Sequence, residues 1–480
     1  MASAAKLKPA TFPLFVKHPS LLVALLVLAS TPLITRTNAA ETPVAIRGAV
    51  GDGKADDTAA IQKAVDAGGA VRFPRGVYRL TRTVVIDLEK TGFTSLNGDG
   101  VARFVMEGAG PAFKFVGTHE GTADPKSLKP NVFERQRTPM VDGIEIVGAS
   151  PEADGIEATG TMQLTITRVA VHEARHGVHL TVRNRNVIIS DCHLYHNTGI
   201  GVFYDHVDLH QSNIIGSHIS YNAGGGVVTI GGAVRNLQIG TSDIESNMTP
   251  EAPPTANVFV DCRDGSTAEV TIVGCTLQHN PSPGAANVRF IGKGKPGSAE
   301  DKTQWGHLTV ADNVLTDVEV NIDLQHVRGA VITGNTFGGG YEHDLLVTDC
   351  SNIAVGSNTF DRNPPYYRGK ADSAKGGLVF RGSRDITLTG MHIDGVRQPA
   401  AVLIEDGDTF NISGCTILDS DGPGLLLKGV SNSLVTGCLI ADRRSDRATA
   451  PSIRMEGGKD NTLSNNKLAH DSQTAPSQAK

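Results

Sequence analysis

The sequence carries no excess of positive charge, no apolar run long enough to span a bilayer comfortably, and only six cysteines in 480 residues. A net charge of −6 gives no general electrostatic attraction for nucleic acid or an anionic membrane. The longest early apolar stretch, Leu21 to Ala29, is too short for a membrane helix. It lies in a segment with four basic residues (Lys6, Lys8, Lys17, Arg36), no acidic ones, and small residues ending at Ala39 and Ala40. That layout is expected of an export signal over residues 1–40, with a retained anchor as the alternative. No cysteine stands nearby, which argues against a lipid anchor. Without the leader the basic count falls from 44 to 40 against 50 acidic residues, a mature charge near −10. The expected organisation is a leader at 1–40, one domain over 41–470, whose residues 41–90 form the N-terminal cap and first coils, and a polar disordered tail at 471–480.

What the chain does contain is a repeat. Near copies of Ile-x-Gly-Cys-x-Ile recur with the fourth position at Ile144, Val169, Cys192, Ser217, Ser242, Cys275, Asn313, Asn335, Asn358, Met391, Cys415, Cys438 and Asn466. The steps run from 22 to 38 residues and cluster near 24, which marks a solenoid with insertions in the longer steps. Each unit carries short alternating apolar stretches, such as Ile214 to Ile219, separated by Asn, Gly and Asp. Period-two alternation means strands, and the separating residues mean turns. Two or three short strands per unit, with no helix between, describe one coil of a right-handed parallel β-helix, here an all-β solenoid of about 13 coils.

This phase places Cys192, Cys275, Cys415 and Cys438 at the inward anchor. They are expected to be small buried side chains rather than disulfide partners, because parallel side chains on stacked coils bridge poorly. Five positions after the anchor stand Asn197, Asn222, Asn247, Asn280 and Asn363, expected to form a structural ladder.

Residues 48–86 supply a different signal. Asp56 and Asp57 can cap a helix from about Thr58 to Ala67, Gly68 can end it, and Ile61, Ala64 and Val65 give it an apolar face. An amphipathic helix is what the open end of a stack of coils needs. The segments Gly51 to Gln62 and Phe73 to Tyr78 resemble the start of pectate-lyase-superfamily β-helix proteins, with Gly-Asp-Gly-x-x-Asp-Asp-Thr-x-Ala-Ile-Gln followed by Phe-Pro-x-Gly-x-Tyr. The resemblance implies a β-helix and, usually, a carbohydrate substrate, but it does not choose a chemistry. The Asn-Thr-Asp and Gly-His-Gly motifs of polygalacturonases are absent, while Tyr204-Asp205-His206 faintly resembles a pectate-lyase tripeptide.

Histidine is concentrated. Eight of the fifteen beyond the leader fall between residues 172 and 218: His172, His176, His179, His193, His196, His206, His210 and His218. Aligned on the anchors, the position one later holds His193, His218 and Asp243. Three later come His172, Tyr195, Ser220 and Glu245; four later come Glu173, His196, Tyr221 and Ser246. The positions one and three later should face outward together. The expected site is therefore a polysaccharide groove on coils at roughly 168–247.

Two chemistries suit it. Elimination beside a uronate needs a base (His193 or His218), an acid (Tyr195 or Tyr221) and a cation (Arg168 or Arg175), with His172 and His196 as further substrate contacts. Hydrolysis needs two carboxyls, for which Asp243 and Glu245 stand two apart on a strand, about 7 Å at Cβ. The residue types tilt toward a polysaccharide lyase, with a glycoside hydrolase and a non-catalytic glycan-binding protein as rivals. No cofactor is demanded, although His193, His218 and Asp243 also offer ligands for a divalent metal. His172-Glu173-Ala174-Arg175-His176 matches a zinc-peptidase string, but that chemistry needs a helix, and the repeat phase puts the string at a strand end. Insertions at 118–139, 249–256, 281–306 and 362–376 are placed to wall a cleft, with Trp305, Tyr366 and Tyr367 as sugar-stacking candidates. The expected partner is a polysaccharide outside the cell or in the periplasm. Neither nucleic acid nor, once the leader is gone, a membrane is expected, and self-assembly is left open.

Overall fold

A computed structural model describes residues 46–121, 123–279, 282–294, 305–367, 373–444 and 450–475, so the proposed leader lies outside the described residues. Every strand pairing is parallel, and each strand pairs with its counterpart one coil away. On the face that follows the anchor, a single file of partners runs through Asp52, Val77, Arg103, Glu145, Ala170, His193, His218, Asp243, Thr276, Val314, Thr336, Thr359, His392, Thr416, Leu439 and Lys467. Each of the thirteen expected coils appears in register. Three more rungs precede them, Asp52 and Val77 inside the segment 41–90 read as cap and first coils and Arg103 beyond it.

Each coil turns at residues held in the left-handed region. In the coil that starts at His193 these are His196, His206 and Gln211, and Gly216 at φ 59° closes it. The corners divide the coil into three faces: the short strand His193–Tyr195, the start of the long strand Ile200–Ile215, and the end of that same strand. Inward positions build a continuous apolar core, with Phe337 stacked on Phe360 at 4.5 Å between adjacent coils.

The small polar anchors have a specific task. Each side-chain acceptor takes the backbone N–H of the anchor one coil earlier: Ser217 Oγ from Cys192 (3.2 Å), Asn313 Oδ1 from Cys275 (2.8 Å), Asn466 Oδ1 from Cys438 (2.9 Å). All six cysteines are buried and unpaired. They are more than hydrophobes, because the Cys192 thiol also donates to the Ser190 carbonyl at 3.2 Å.

The interior Asn ladder exists, but its later members differ from expectation. Asn197 donates to Asn222 (2.7 Å), Asn222 to Asn247 (2.7 Å), and Asn247 to Asn257 (2.9 Å). The file continues through Asn287 and Asn321 and ends on Asp344. After the insertion at 249–256 the same place in space is filled by the residue that resumes the next strand. Asn280 lies outside the described residues. Asn363 is exposed, and its side chain accepts from the Tyr366 N–H of a short helix, Pro364–Tyr367.

The N-terminal helix spans Thr58–Asp66 and buries Ile61 and Val65, with Gly68 at φ 70° ending it. The two aspartates divide the work. Asp56 accepts from the Thr58 N–H at 3.0 Å, whereas buried Asp57 pins the incoming chain through Val50 and Gly51. The C-terminal tail departs from expectation: Gln473–Ala475 pair with Ile453–Glu456, because the last coil offers an open row of backbone donors and acceptors. Residues 476–480 lie outside the described residues.

Burial lifts the Asp344 carboxyl from 3.8 to about 7, against hydrogen bonds from Asn321 and Gly340. The folded chain thus holds a proton that the unfolded chain releases at lower pH. Stability is fully present below about 4 and is lost as pH rises toward about 7. Asp344→Asn keeps the ladder acceptor without the charge. Its advantage over the parent in thermal unfolding should grow with pH over that window, reaching on the order of a few kcal/mol. An advantage that does not vary with pH contradicts this account.

Candidate active site

The short-strand face gathers most of the residues the sequence brings forward. His193, His218 and Asp243 are direct register partners, as are His172, Tyr195, Ser220 and Glu245. The imidazoles of His193 and His218 stack at 5.1 Å with planes 16° apart, and those of His172 and Tyr195 stack at 4.9 Å. His196 lies at the left-handed corner and packs edge-on against both Tyr195 and Tyr221. His218 Nδ1 is 3.6 Å from Asp243 Oδ2. The parallel ladder holds this arrangement together with the inward neighbours Leu194, Ile219 and Ile244, which are fully buried.

Two residues that the sequence reading did not single out complete the face. Glu145, one rung before Ala170, accepts from Arg103 (2.7 and 2.8 Å) and lies 3.0 Å from His172 Nε2. His279, at the corner one coil past Ser246, stands 3.7 Å from Glu245 and 3.8 Å from Asp317. Both Glu145 and His279 occupy the repeat phases already recognised, one and four positions after Ile144 and Cys275, so the column alignment would have found them one coil further out.

The electrostatics differ along the face. The Asp243 carboxyl sits above its ordinary range, raised first by burial and then by the charge of Glu245. Its Oδ1 is buried without a hydrogen-bond partner. The Glu145 carboxyl is held below its range, first by Arg103. Burial raises the Tyr195 hydroxyl. Glu245 accepts from Gln278 Nε2 at 3.3 Å.

Two expected contributors are committed elsewhere. Arg168 makes a two-pronged pair with Asp142 (2.8 and 2.5 Å), and Arg175 a similar pair with buried Asp154 (2.9 and 2.6 Å). Each guanidinium is matched to a carboxylate one coil away, so neither presents an unpaired cation to a uronate. The eight histidines also separate. His172, His193, His196 and His218 share the short-strand face, His176, His179 and His206 belong to the next face around Phe203 and Asp205, and His210 lies further along the long strand in register with Arg185 and Arg235. There, burial pushes Asp205 up, and the hydrogen bonds from His206 and His179 outweigh it, leaving the carboxyl below its usual range. Tyr204 points into the core and bonds Ser212, which removes it from any exposed tripeptide.

The metal alternative does not fit the geometry. Rings stacked face to face do not converge their nitrogens on a point, and among the described residues no group of three His, Cys, Asp or Glu is set to hold an ion. The string His172 to His176 is a strand end followed by a left-handed residue at Glu173, not a helix. Trp305 leans over Arg235 with the guanidinium 5.3 Å from the ring, so it is occupied by that contact. Tyr366 is 72% exposed, and the side chain of Tyr367 lies outside the description.

Three family models match successive parts of the chain: "Rhamnogalacturonase A/epimerase, pectate lyase-like" over 43–140, "Right handed beta helix region" over 141–277, and "Periplasmic copper-binding protein (NosD)" over 307–480. Copper is not supported by the residues of that last segment. Its cysteines Cys350, Cys415 and Cys438 are buried and spent on backbone carbonyls, the last two as anchors, and no three-ligand group lies among the described residues. The A-module of mannuronan C-5 epimerase AlgE4 from Azotobacter vinelandii is 16% identical, covering 90% of this chain and 99% of its own, at a TM-score of 0.34. The tailspike gp49 of Pseudomonas phage LKA1 is 12% identical, covering 89% and 82%, at 0.47. PfbA, a surface adhesin of Streptococcus pneumoniae, is 14% identical, covering 88% and 90%, at 0.39. Likenesses this distant carry no weight on activity. A search of curated proteins found no match. No helix among the described residues is long and apolar enough to cross a membrane. The parallel coils, the N-terminal motif and the three successive matches together make this chain a member of the pectate-lyase-like right-handed β-helix superfamily.

Proposed function

We propose that the chain is an exported enzyme, working in the periplasm or outside the cell, that cleaves glycosidic bonds in a polysaccharide laid along the short-strand face. What supports this reading best is the placement of Asp243. It stands in register with His218, two residues from Glu245, and its carboxyl is lifted by burial and by that neighbouring charge. A carboxyl that keeps its proton can donate it to a leaving glycosidic oxygen, and Glu245 supplies the second carboxylate that hydrolysis needs. Tyr221, 48% exposed, and the His193–His218 stack offer flat surfaces for sugar rings.

Elimination is the second reading. It is favoured by the imidazoles and the tyrosines Tyr195 and Tyr221 around the same groove, and it is weakened by the pairing of Arg168 and Arg175. The description of the family matched at 307–480 as periplasmic accords with the basic leader at 1–40 and with export. A third reading, glycan binding without cleavage, predicts no product at all.

Incubation with a panel of neutral and uronate polysaccharides decides among the three. Hydrolysis yields reducing ends without an unsaturated product, elimination yields ultraviolet-absorbing ends, and unchanged polymer contradicts the enzyme proposal. Asp243→Asn and Glu245→Gln should each lower the turnover rate by roughly 100-fold or more. Full activity in both variants would refute their roles.

The pH profile carries a further prediction. If Asp243 is the acid, activity falls as pH rises through its elevated pKa. Glu245→Gln removes one of the two causes of that elevation and should move the alkaline limb of its residual activity to lower pH. A limb that stays in place, measured as kcat/KM against pH, excludes coupling between the two carboxyls.

A further inference from the structure

The end of the long strand carries a second surface whose chemistry differs from that of the cleavage face. Two outward files run side by side there. The corner file holds Gln163, Asn186, Gln211 and Asn236, all in the left-handed region. Beside it, Asn213 pairs in register with Gln238. Together with two threonines and one isoleucine they line a groove of about 440 Å³, and no charged side chain is among the lining residues.

These amides differ in setting from the interior ladder. An interior ladder member such as Asn222 is buried and divides its amide hydrogens between the next asparagine and the Leu194 carbonyl, so it stitches coils together. In this segment the stitching is done by buried Asn184, which donates to the carbonyls of Ala158 and Thr181. The outer amides also bond from one coil to the next, Asn186 Nδ2 to Gln211 Oε1 at 2.5 Å and Asn213 Nδ2 to Gln238 Oε1 at 2.7 Å, but they do so on the outward side, along the groove. Two primary amides joined by one bond have donors and lone pairs left over. Arg185 reaches the lining and donates to Asn186 Oδ1 at 3.2 Å, while the Gln163 Oε1 atom is buried with no partner.

We infer that this groove is an accessory binding site for an uncharged, hydroxyl-rich chain, that is, a neutral oligosaccharide. Each sugar hydroxyl is both donor and acceptor, as each amide is, and neither brings a charge that must be desolvated. Rungs about 4.8 Å apart repeat the amide pattern at close to the length of one pyranose ring, so four corner amides span roughly 14 Å, a few sugar residues. The cation that reaches the lining, Arg185, donates to Asn186 Oδ1, the lining side chains themselves are uncharged, and Ile188, the apolar member, is exposed at 39% to take the face of a ring. The groove occupies the same coils as His193 to Glu245, around one corner from the proposed cleavage face. It goes beyond that proposal and does not depend on Asp243.

Affinity electrophoresis of the full chain tests it, in native gels containing galactomannan, xyloglucan or a soluble β-glucan, with polygalacturonate gels as contrast. The parent protein should be retarded in at least one neutral gel. The variant Asn186→Leu, Asn213→Leu, Gln238→Leu should lose at least tenfold in apparent affinity, and Asp243→Asn should bind as the parent does. Should the triple variant fail to fold, as judged by its melting curve, the single changes Asn213→Asp and Gln238→Glu take its place and should weaken retardation by placing a charge in the groove. No retardation in any neutral gel, retardation only with polygalacturonate, or unchanged retardation in the folded variants each overturns the inference. Loss of binding in Asp243→Asn also overturns it, by tying the binding to the cleavage face. Loss of cleavage with retention of neutral binding leaves the inference standing and sinks only the enzyme proposal.

Discussion

One constraint governs this molecule: every coil must hydrogen-bond in parallel to the coil before and after it, without slipping a residue. A slip of one would send each inward side chain out and each outward one in. The anchors prevent it. The serine and asparagine anchors each lend a side-chain oxygen to the backbone N–H of the anchor a coil away, and the interior asparagines do the same at the following turn. Because these bonds are buried, breaking one strands a polar group away from water. Register is thereby specified at the same places along most of the solenoid.

Everything on the outside inherits that regularity. Residues about 24 apart in number become neighbours about 4.8 Å apart in space, which is how imidazoles, phenols and carboxylates from separate repeats come to form one surface. The same stacking also decides which groups are available. Arg168 and Arg175 are neutralised because Asp142 and Asp154 come within reach from the preceding coil, while Asp243 keeps a raised pKa through burial and, secondly, because its near neighbour Glu245 is another acid. Vertical neighbours set the charge balance as much as the residues themselves do. The proposed cleavage face and the amide groove are two readings of one coil stack, separated by a corner and distinguished by whether the file is titratable or neutral.

The sequence disclosed what depends on period and little that depends on pairing. The anchors and the files through His193 and Tyr195 were legible because alternation within a strand and repetition between coils are both visible as spacing. Glu145 and His279 were legible in principle, being the same phases one coil beyond the patch. The ladder past Asn247 was not, because the insertion at 249–256 hands its place to Asn257 without keeping the offset from the anchor. Arginine pairing was hidden for a related reason: Asp142 and Asp154 lie 26 and 21 residues from their partners at phases that no apolar pattern marks. The outward amides of the last face escaped notice because Asn and Gln there look like ordinary turn residues until the corners line up.

The register of the short-strand face is the claim on which the rest stands, and it can be measured without any substrate. The six native thiols are buried, so nitroxide labels can be directed to His193→Cys and His218→Cys. Labels one rung apart, about 4.8 Å between backbones, should show strong dipolar broadening in the continuous-wave EPR spectrum relative to either single label. A double-labelled spectrum that is the plain sum of the two singles would mean that these positions do not stack, and the proposed active face would not exist.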